Sequence, residues 1–586
     1  MIRPSDHEDP PMSIRLSRLR RFPFTLLALP FLLSCGGRPA APNILLVVID
    51  TMRADHLGCY GYGRPTSPAI DRIAAEGVRY ENAYTSAPWT LPAVASLMTG
   101  TRPWEHGAVN DYLAPRPDLS TLGGLLGEAG YETAAFVSHI YTSRVYGFDA
   151  GFDRFEDFRI AEGYVFDQGL EPRAERVIGE AVRWLEGRDR SKPFFLWIHL
   201  FDPHWEYGAP EPYRAMFDPD YDGPVDGTYR TIERYLEHDS LMAPRDLEHL
   251  IALYDGEVRY ADAWIDTLVR RLEKSGDWGR TVAVVTGDHG EEFQEHRSLG
   301  HSFTFYDEVL RVPLVFRDPE GPAGAELRTP VGLVDIFPTL LSRAGAPSPE
   351  GISGRELPAN EDLRSRHLAA GTTREGQYGR ALVEGRRKIV WDREGTRLYH
   401  RGSDPAETVD LLAGGAEFPE LMDALFPAPS DTGWVIAWDA CGRGPREWAG
   451  AVEASGIVVE VLPLRGAEIA VEAANNRGFR FVSRAAGSGG LRFRTVPPDG
   501  PVRFSLTIDG RPGKGSIAVG REGFAPPAPS FGLDPASSPA GTFAMPDLSP
   551  PFDGYRVWKG SDPPPPPRID LTAEEEARLR ALGYVR

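Results

Sequence analysis

Residues 43–50 read NILLVVID, a continuous apolar run that ends abruptly at Asp50. Similar apolar runs recur along the chain as AAFVS (134–138), FFLWIHL (194–200), TVAVVTG (281–287) and VPLVF (312–316). The segments between them carry helical patterns, namely SPAIDRIAAEG (67–77), RAERVIGEAVRWLEG (173–187) and VRYADAWIDTLVRRLEKSG (258–276). Short apolar strands that alternate with amphipathic helices predict an α/β fold, with a mostly parallel central sheet covered by helices on both faces.

Polar side chains stand at the ends of these apolar runs. Asp50 follows the first run, His199 lies near the end of the run at 194–200, and Asp288 and His289 follow the run at 281–287. Parallel sheets bind ligands beyond the carboxyl ends of their strands. Asp50 alone is also compatible with a helix cap, and Asp288 with His289 fits an ordinary turn. Together, carboxylate and imidazole donors at two strand ends favour a divalent metal site formed by Asp50, Asp288 and His289.

The composition limits the class of protein. The chain has 586 residues and a net charge of −20, which disfavours nucleic acid as a partner because phosphates require a basic surface. A hydrophobic content of 41% excludes a disordered chain. The cysteines Cys35, Cys59 and Cys441 are too few for a disulfide framework or a thiolate metal cluster. These features indicate a large acidic globular protein, and most proteins of this kind are enzymes.

The pattern changes several times beyond residue 370. A small antiparallel meander is followed by short Val- and Ile-rich strands typical of a β-sandwich, and then by a stiff proline-rich stretch. The predicted boundaries are 1–35 for a signal peptide, 43–370 for the main α/β domain, 371–430 for its C-terminal antiparallel subdomain, 434–522 for the β-sandwich, 525–567 for the proline-rich tether and 568–586 for a C-terminal helix.

The N-terminus predicts export. Four arginines follow Met12, which we take as the start of translation, and the apolar run FPFTLLALPFLL (22–33) comes directly after them. A basic stretch before about a dozen apolar residues is typical of a secretion signal. The following LLSCG (32–36) resembles a bacterial lipobox, which implies a lipid on Cys35 as the sole membrane attachment. We therefore expect a lipoprotein of the bacterial periplasm or outer surface; the alternative is a plain signal peptide with an incidental cysteine.

Four segments carry a family resemblance: VVIDTMRADHLGCYGY (47–62), APWTLPAVASLMTG (87–100), FDPH (201–204) and TGDHGEEFQEHRSLGH (286–301). Over most of residues 43–415 they resemble the sulfatase-like branch of the alkaline phosphatase superfamily. The stretches VDIFPTLL (334–341), LYHRGSDPAETVDLL (398–412) and LRALGYVR (579–586) are similar to that group as well. The resemblance implies an alkaline-phosphatase/sulfatase-like sandwich and one divalent metal ion (Mn, Zn or Ca). Its ligands would be Asp50, Asp288, His289 and Thr90.

The nucleophile departs from the main sulfatase pattern. Those enzymes carry a Cys or Ser in a C/S-x-P-x-R motif, which is oxidised to formylglycine. Here the matching positions hold Thr90 and Val94, and no cysteine begins such a motif, so we expect no formylglycine. A threonine hydroxyl needs activation, which a bound dication and a helix N-terminus would supply. The alternative role for Thr90 is a simple helix N-cap. Thr51 replaces the second aspartate of many sulfatases, which leaves a smaller ligand set.

The histidines also favour an anionic centre, since ten of the thirteen lie between residues 56 and 301. By the resemblance, His204 contacts the ester or protonates the leaving oxygen, and His301 occupies a position where relatives commonly carry a substrate-binding lysine. His199 and His296 are weaker candidates. We assign no role to His56, His238 and His249. Arg53 and Trp89 are expected in structural positions.

We interpret the chain as an exported, metal-dependent hydrolase of sulfate or phosphate esters. Thr90 attacks, and His204 and His301 bind the anion or move protons. A threonyl ester must be resolved by attack on sulfur or phosphorus, which favours phosphoryl chemistry and leaves sulfate esters open. The substrate is an anionic ester, and a glycan is a candidate from the architecture alone. One alternative is a phospho-group transferase acting on a cell-envelope polymer. Another is a non-catalytic metal- or glycan-binding protein.

Overall fold

The computed structural model describes residues 41–558, with several segments left out. Those segments are 112, 159–171, 238–239, 363–365, 373–378, 393–394, 415–420, 422–433, 440–445, 455–456, 464–468, 476–477, 486–488, 497–501, 509–515 and 522–554. The predicted signal peptide with Cys35, most of the proline-rich tether, and the C-terminal helix therefore lie outside the described residues. Within these residues, none of the helices combines the length and apolar character required to span a lipid bilayer.

The first part of the chain alternates strands and helices. Its strands are β1 (Asn43–Ile49), β2 (Val78–Tyr80), β3 (Ala83–Tyr84), β4 (Glu132–Val137), β5 (Arg154–Glu156), β6 (Phe194–Leu200), β7 (Thr281–Gly287), β8 (Glu292–Phe293), β9 (Leu299–Gly300), β10 (Arg311–Val312), β11 (Leu314–Arg317), β12 (Ala325–Leu327) and β13 (Val331–Gly332). Its helices are α1 (Pro68–Ala75), α2 (Thr90–Thr99), α3 (Pro103–His106), α4 (Leu122–Glu128), α5 (Ala174–Gly187), α6 (Tyr229–Glu237), α7 (Pro244–Ser275), α8 (Asp307–Leu310) and α9 (Ile336–Ala344).

Eight of these strands form the central sheet, in the order β12-β2-β11-β7-β1-β6-β4-β5. Strand β1 lies between β6 and β7 and pairs in parallel with both. Every residue of β1, β6 and β7 is buried, which requires cover on both faces of the sheet. Strand β11 runs antiparallel to both of its neighbours, β7 and β2. The predicted α/β fold with a mostly parallel sheet is therefore confirmed.

Two predicted elements differ in detail. Strands β1, β6 and β7 coincide with the predicted apolar runs, whereas the run at 312–316 is divided between β10 and β11. Helix α7 begins at Pro244, well before the predicted start at 258. Its first half buries polar side chains such as Asp255 and Glu257, and this interrupts the apolar periodicity that a sequence pattern detects.

The C-terminal part contains antiparallel sheets, as expected. A four-stranded meander is formed by β14 (His367–Thr372), β15 (Gly379–Glu384), β16 (Arg387–Asp392) and β17 (Gly395–His400). It begins slightly before the predicted boundary at residue 371. Its inner face packs in a small hydrophobic cluster with Phe305 and Leu310. These two residues follow His301 closely in the sequence.

Two further sheets follow. Their strands are β18 (Trp434–Asp439), β19 (Arg446–Ala454), β20 (Ile457–Pro463), β21 (Ile469–Asn475), β22 (Gly478–Ala485), β23 (Gly489–Val496), β24 (Val502–Ile508), β25 (Ser516–Arg521) and β26 (Tyr555–Trp558). One sheet has the order β20-β23-β18-β25-β26 and the other β21-β22-β19-β24. Strand β26 lies within the predicted proline-rich tether and pairs in parallel with β25.

Candidate active site

The register of the central sheet brings two aspartates to one point. Ile49, the last residue of β1, is level with Leu200 of β6 and Gly287 of β7. The next residues continue this pairing, since the Asp50 N–H donates to the Leu200 carbonyl at 2.9 Å and the Asp288 N–H donates to the Ile49 carbonyl at 3.3 Å. Asp50 and Asp288 therefore lie side by side beyond the carboxyl ends of adjacent parallel strands.

His289 completes a compact cluster with these aspartates. Its Nε2 lies 3.3 Å from Asp50 Oδ1 and 3.7 Å from Asp288 Oδ2. Its Nδ1 lies 3.0 Å from the Gly290 carbonyl, so Nδ1 carries the proton of that hydrogen bond and Nε2 faces the carboxylates. All three side chains are completely buried, and one ligand atom from each falls within 4.8 Å of the others.

Burial and mutual charge shift the acidity of the cluster. Burial, reinforced by the charge of Asp288, raises the pKa of Asp50 to about 6. Burial acts in the same direction on Asp288, but His289 and His199 outweigh it and lower the pKa of Asp288 below its usual value. Burial opposes a charged imidazole, yet the two carboxylates raise the pKa of His289 to about 9. The cluster is thus an environment that favours positive charge.

The cluster fits a divalent cation. Asp50 Oδ1 and Asp288 Oδ2 are buried, and no described residue donates a well-aligned hydrogen bond to either oxygen. Buried carboxylate oxygens without a donor are costly unless a cation is bound to them. Two carboxylates and one imidazole are a ligand set that suits Zn or Mn at least as well as Ca. The buried Asp50, Asp288 and His289 could therefore hold a divalent metal ion.

Thr90 stands next to this cluster as the first residue of α2. Its Oγ1 lies 3.2 Å from His289 Nε2 and 3.5 Å from Asp50 Oδ2. The cap position is held by Trp89, so Thr90 is not the N-cap that the alternative interpretation suggested. The hydroxyl faces the carboxylate cluster, and an anion bound there would also face the positive end of the helix. Val94, at the position of the missing arginine, is fully buried.

The loop after β1 is held in an uncommon conformation. Thr51 has a φ of +51°, in the left-handed region that residues other than glycine seldom occupy. Two contacts hold it: the Thr51 N–H donates to Asp288 Oδ1 at 3.3 Å, and the Tyr254 hydroxyl donates to the Thr51 carbonyl at 2.8 Å. The same hydroxyl accepts from the Arg53 N–H at 2.9 Å. Tyr254, on α7, therefore fixes the backbone on the C-terminal side of Asp50.

His204 and His301 lie together beside the cluster. The centroid of the His301 ring is 4.6 Å from that of His289 and 4.9 Å from that of His204. The His204 Nδ1 is hydrogen-bonded to the carbonyl of Trp205. The His301 Nδ1 lies 2.9 Å from Glu291 Oε1. Both predicted histidines are buried, and segments remote in sequence bring them to the same place.

Two further histidines border the aspartates. His199, which lies within β6 rather than beyond it, has Nε2 3.8 Å from Asp288 Oδ2. His139 has Nδ1 3.6 Å from Asp50 Oδ2, and its ring stacks against that of His199 with centroids 6.3 Å apart. His139 has no individual role among the residues predicted from the sequence, although it directly follows the apolar run 134–138. Its position after a strand is the same signal that marks Asp50.

The other candidate residues occupy packing positions. The ring of His296 lies flat against Tyr306, with centroids 3.4 Å apart. Among the contacts of the described residues, none joins His296 to Asp50 or Asp288. His56 pairs with Asp255, and His249 pairs with Asp218. Trp89 donates its indole N–H to Thr372 in the core, Arg53 forms ion pairs with Asp55 and Glu295, and His238 lies outside the described residues.

Much of the chain matches a known family of proteins. The family model described as Sulfatase matches residues 42–346. An arylsulfatase of Clostridium perfringens is 26% identical over 448 residues, which cover 66% of this chain and 92% of that protein.

Two solved structures share the fold. A protein crystallised with its substrate D-glucosamine-2-N,6-O-disulfate superposes with a TM-score of 0.56 at 21% identity, over 66% of this chain and 96% of its own. The phosphonate monoester hydrolase of Agrobacterium radiobacter gives a TM-score of 0.52 at 22% identity, over 64% and 92% of the two chains. The family model covers more than half of the sequence, and the chain therefore belongs to the sulfatase family of ester hydrolases.

Proposed function

We propose that this protein is a metal-dependent hydrolase of sulfate or phosphate esters in which Thr90 is the nucleophile. The observation that carries the proposal is the position of the Thr90 hydroxyl, within 3.5 Å of both Asp50 and His289 at the first turn of α2. In this arrangement Asp50, Asp288 and His289 would hold the cation. A bound dication makes a nearby hydroxyl more acidic and neutralises charge that develops on the ester.

The residues of the chain allow a balanced double displacement. The Thr90 hydroxyl gives up its proton, for which Asp50 Oδ2 is an acceptor at 3.5 Å. Oγ1 then forms a bond to sulfur or phosphorus while the bond to the leaving oxygen breaks, and a protonated histidine gives its proton to that oxygen. In the second step water attacks the threonyl ester, its proton returns to the histidine, and the Thr90 oxygen regains a proton as it leaves.

The comparisons support the class of ester without selecting one. One relative is named as an arylsulfatase, and one structural neighbour as a phosphonate monoester hydrolase. Another neighbour binds a sulfated glucosamine as its substrate, which supports a sulfated or phosphorylated glycan as a candidate. For this chain we propose an anionic ester, and the absence of a C/S-x-P-x-R motif favours phosphoryl transfer.

We also propose that the protein is exported and lipidated. The support is the arginine-rich segment after Met12, the apolar run at 22–33 and the lipobox-like sequence that ends with Cys35 and Gly36. Attachment through a lipid would leave the catalytic region on the far side of the inner membrane, where cell-envelope esters are accessible.

Turnover with defined metals tests the proposed function. The full chain, stripped with a chelator and reloaded with Mn²⁺, Zn²⁺ or Ca²⁺, is assayed on aryl sulfate, aryl phosphate and phosphate diester substrates. We expect Thr90→Ala to abolish metal-restored turnover, and Thr90→Ser, which keeps a hydroxyl, to retain part of it. Thr99→Ala is the matched control, because Thr99 is a buried threonine at the other end of the same helix.

The outcomes separate the three candidate functions. Metal-dependent turnover that survives Thr90→Ala would refute the nucleophile. Turnover that appears only with a phospholipid donor and a polymer acceptor would indicate the transferase. Metal binding without turnover of any ester or donor would indicate a binding protein.

A further inference from the structure

Glu291 is a buried carboxylate that ends against a histidine of the proposed site. It follows the His289-Gly290 pair and is completely inaccessible to solvent. Its Oε1 lies 2.9 Å from His301 Nδ1, and its Oε2 accepts a hydrogen bond from the Tyr207 hydroxyl at 3.2 Å. Its backbone carbonyl accepts from Arg53 Nη1 at 2.9 Å. Both the main chain and the side chain of Glu291 are therefore held from several directions.

The neighbouring glutamate shows that this contact is specific. Glu292 is also completely buried. Its Oε2 accepts a hydrogen bond from the Thr304 hydroxyl at 2.7 Å, and its Oε1 accepts one from the backbone N–H of His296 at 3.2 Å. Of two consecutive buried carboxylates, one is directed to His301 and the other away from it. Burying a carboxyl group is costly, so a buried Glu291 held against an imidazole of the proposed active site indicates that the pairing has a use.

The contact determines how His301 can act. Because Nδ1 is bound to Glu291, proton exchange between His301 and a substrate has to use Nε2. The ring lies within 5 Å of both His289 and His204, at centroid distances of 4.6 and 4.9 Å. His204 differs, because its Nδ1 is bound to the main-chain carbonyl of the next residue. The His301 ring is instead oriented by the side chain of Glu291, which is itself held by the Tyr207 hydroxyl, and this fixes the direction of Nε2.

We propose that Glu291 is a positioning residue for His301, and that this pair, rather than His204, delivers the proton to the leaving oxygen. This inference rests on the proposed function. As the bond between the leaving oxygen and sulfur or phosphorus breaks and the bond to Thr90 Oγ1 forms, the Nε2 proton of His301 moves to the leaving oxygen. In the second step the attacking water returns a proton to Nε2, and the Thr90 oxygen departs.

A series of aryl esters tests the catalytic part. Proton donation matters for poor leaving groups such as phenol and hardly at all for good ones such as 2,4-dinitrophenol. We expect Glu291→Ala to lower kcat by about 10–100-fold on the phenyl ester, with KM little changed, and to have a much smaller effect on the dinitrophenyl ester. Glu291→Gln keeps an acceptor for Nδ1 and should recover part of the loss. Glu292→Gln is the matched control, and its kcat should follow the wild type on every ester.

A double substitution tests whether Glu291 acts through His301. If it does, adding Glu291→Ala to His301→Ala should cause no further loss of kcat, because the residue that Glu291 positions is already gone. His204→Ala should reduce kcat on good and poor leaving groups alike. An equal loss on all esters with Glu291→Ala, or a full additional loss in the His301→Ala background, would overturn the proposal.

A measurement without turnover tests the contact itself. In protein labelled with ¹⁵N-histidine, the proton held between His301 Nδ1 and Glu291 should give a downfield resonance that is assigned by its loss in His301→Ala. It should also be absent in Glu291→Ala and present in Glu292→Gln. If it persists in Glu291→Ala, the positioning role is wrong, even if the wild-type protein hydrolyses none of the esters. If it is lost while the leaving-group dependence is unchanged, the contact exists but does not serve proton donation, and the proposal is again wrong.

Discussion

Removing the Tyr254 hydroxyl should loosen Asp50, a proposed metal ligand, through the loop that follows it. The hydroxyl donates to the Thr51 carbonyl at 2.8 Å and accepts from the Arg53 N–H at 2.9 Å. In Tyr254→Phe the ring still packs against Phe293, at a centroid distance of 5.1 Å, so only the two hydrogen bonds are lost. Thr51 would then keep its positive φ with one support fewer on the segment that follows Asp50.

The magnitude follows from the two groups that are left without a partner. Each buried hydrogen bond contributes about 1 kcal/mol net, and an orphaned buried group costs about 1–3 kcal/mol. We therefore expect Tyr254→Phe to lower the free energy of unfolding of the metal-free protein by about 2–6 kcal/mol. Because residues behind a metal ligand orient it, we also expect the metal affinity to fall by about 10–100-fold.

Chelator competition and denaturant unfolding measure the two effects separately. Tyr80→Phe is the control, because Tyr80 is equally buried and donates one hydrogen bond, to the Pro358 carbonyl at 2.8 Å, on a strand near the edge of the sheet. The control, which orphans one group instead of two, should lose about 1–3 kcal/mol of stability and keep its metal affinity. The reasoning is refuted if the two variants bind metal equally well, because Tyr254 would then contribute to stability alone.

Three further predictions concern pH, metal and export. Burial opposes ionisation of Asp307, but the Lys388 ammonium at 2.9 Å and the Arg401 guanidinium at 2.9 Å hold the pKa of this carboxyl far below its usual value. The unfolded chain therefore binds more protons at low pH, so this contribution is complete above about pH 4 and declines below it. Unfolding measured from pH 6 to pH 3 should show the decline, and Lys388→Met should weaken it. A metal at a hundred times its Kd should raise the free energy of unfolding by about 2.7 kcal/mol, an increase that Asp288→Asn should largely abolish in a thermal scan. Labelled fatty acid should be incorporated into the expressed wild-type protein but not into Cys35→Ala, and equal labelling of the two would contradict the lipoprotein assignment.

The central strands could be predicted closely because their cause is local. A run such as residues 43–49 is apolar at every position, and only a strand buried on both faces accepts such a run beside amphipathic helices. The direction of β11 could not be predicted, since it is a short, buried, mainly apolar run like the parallel strands of the same sheet. Direction depends on how the connecting segments return to the sheet, which no short stretch of sequence encodes.

The candidate site divides in the same way. Asp50, Asp288 and His289 could be selected because each lies at or directly after the end of an apolar run, and Thr90 because a family pattern marks its position. Glu291 stands within a quoted motif, yet nothing in the motif distinguishes it from the next glutamate. Only the folded chain directs the first toward His301 and the second toward Thr304.

The amino-acid sequence by itself therefore determined the class of fold, the strands at the centre of the sheet and the residue types that meet beyond their ends, because apolar periodicity and strand termination are local properties. The tertiary structure alone decided which distant side chains support those residues. Tyr254 comes from the first half of a long helix, and His139 lies just beyond a different strand, β4. Their contacts with the loop after β1 and with Asp50 depend on packing between elements far apart in the chain, and such packing leaves no local signature in the sequence.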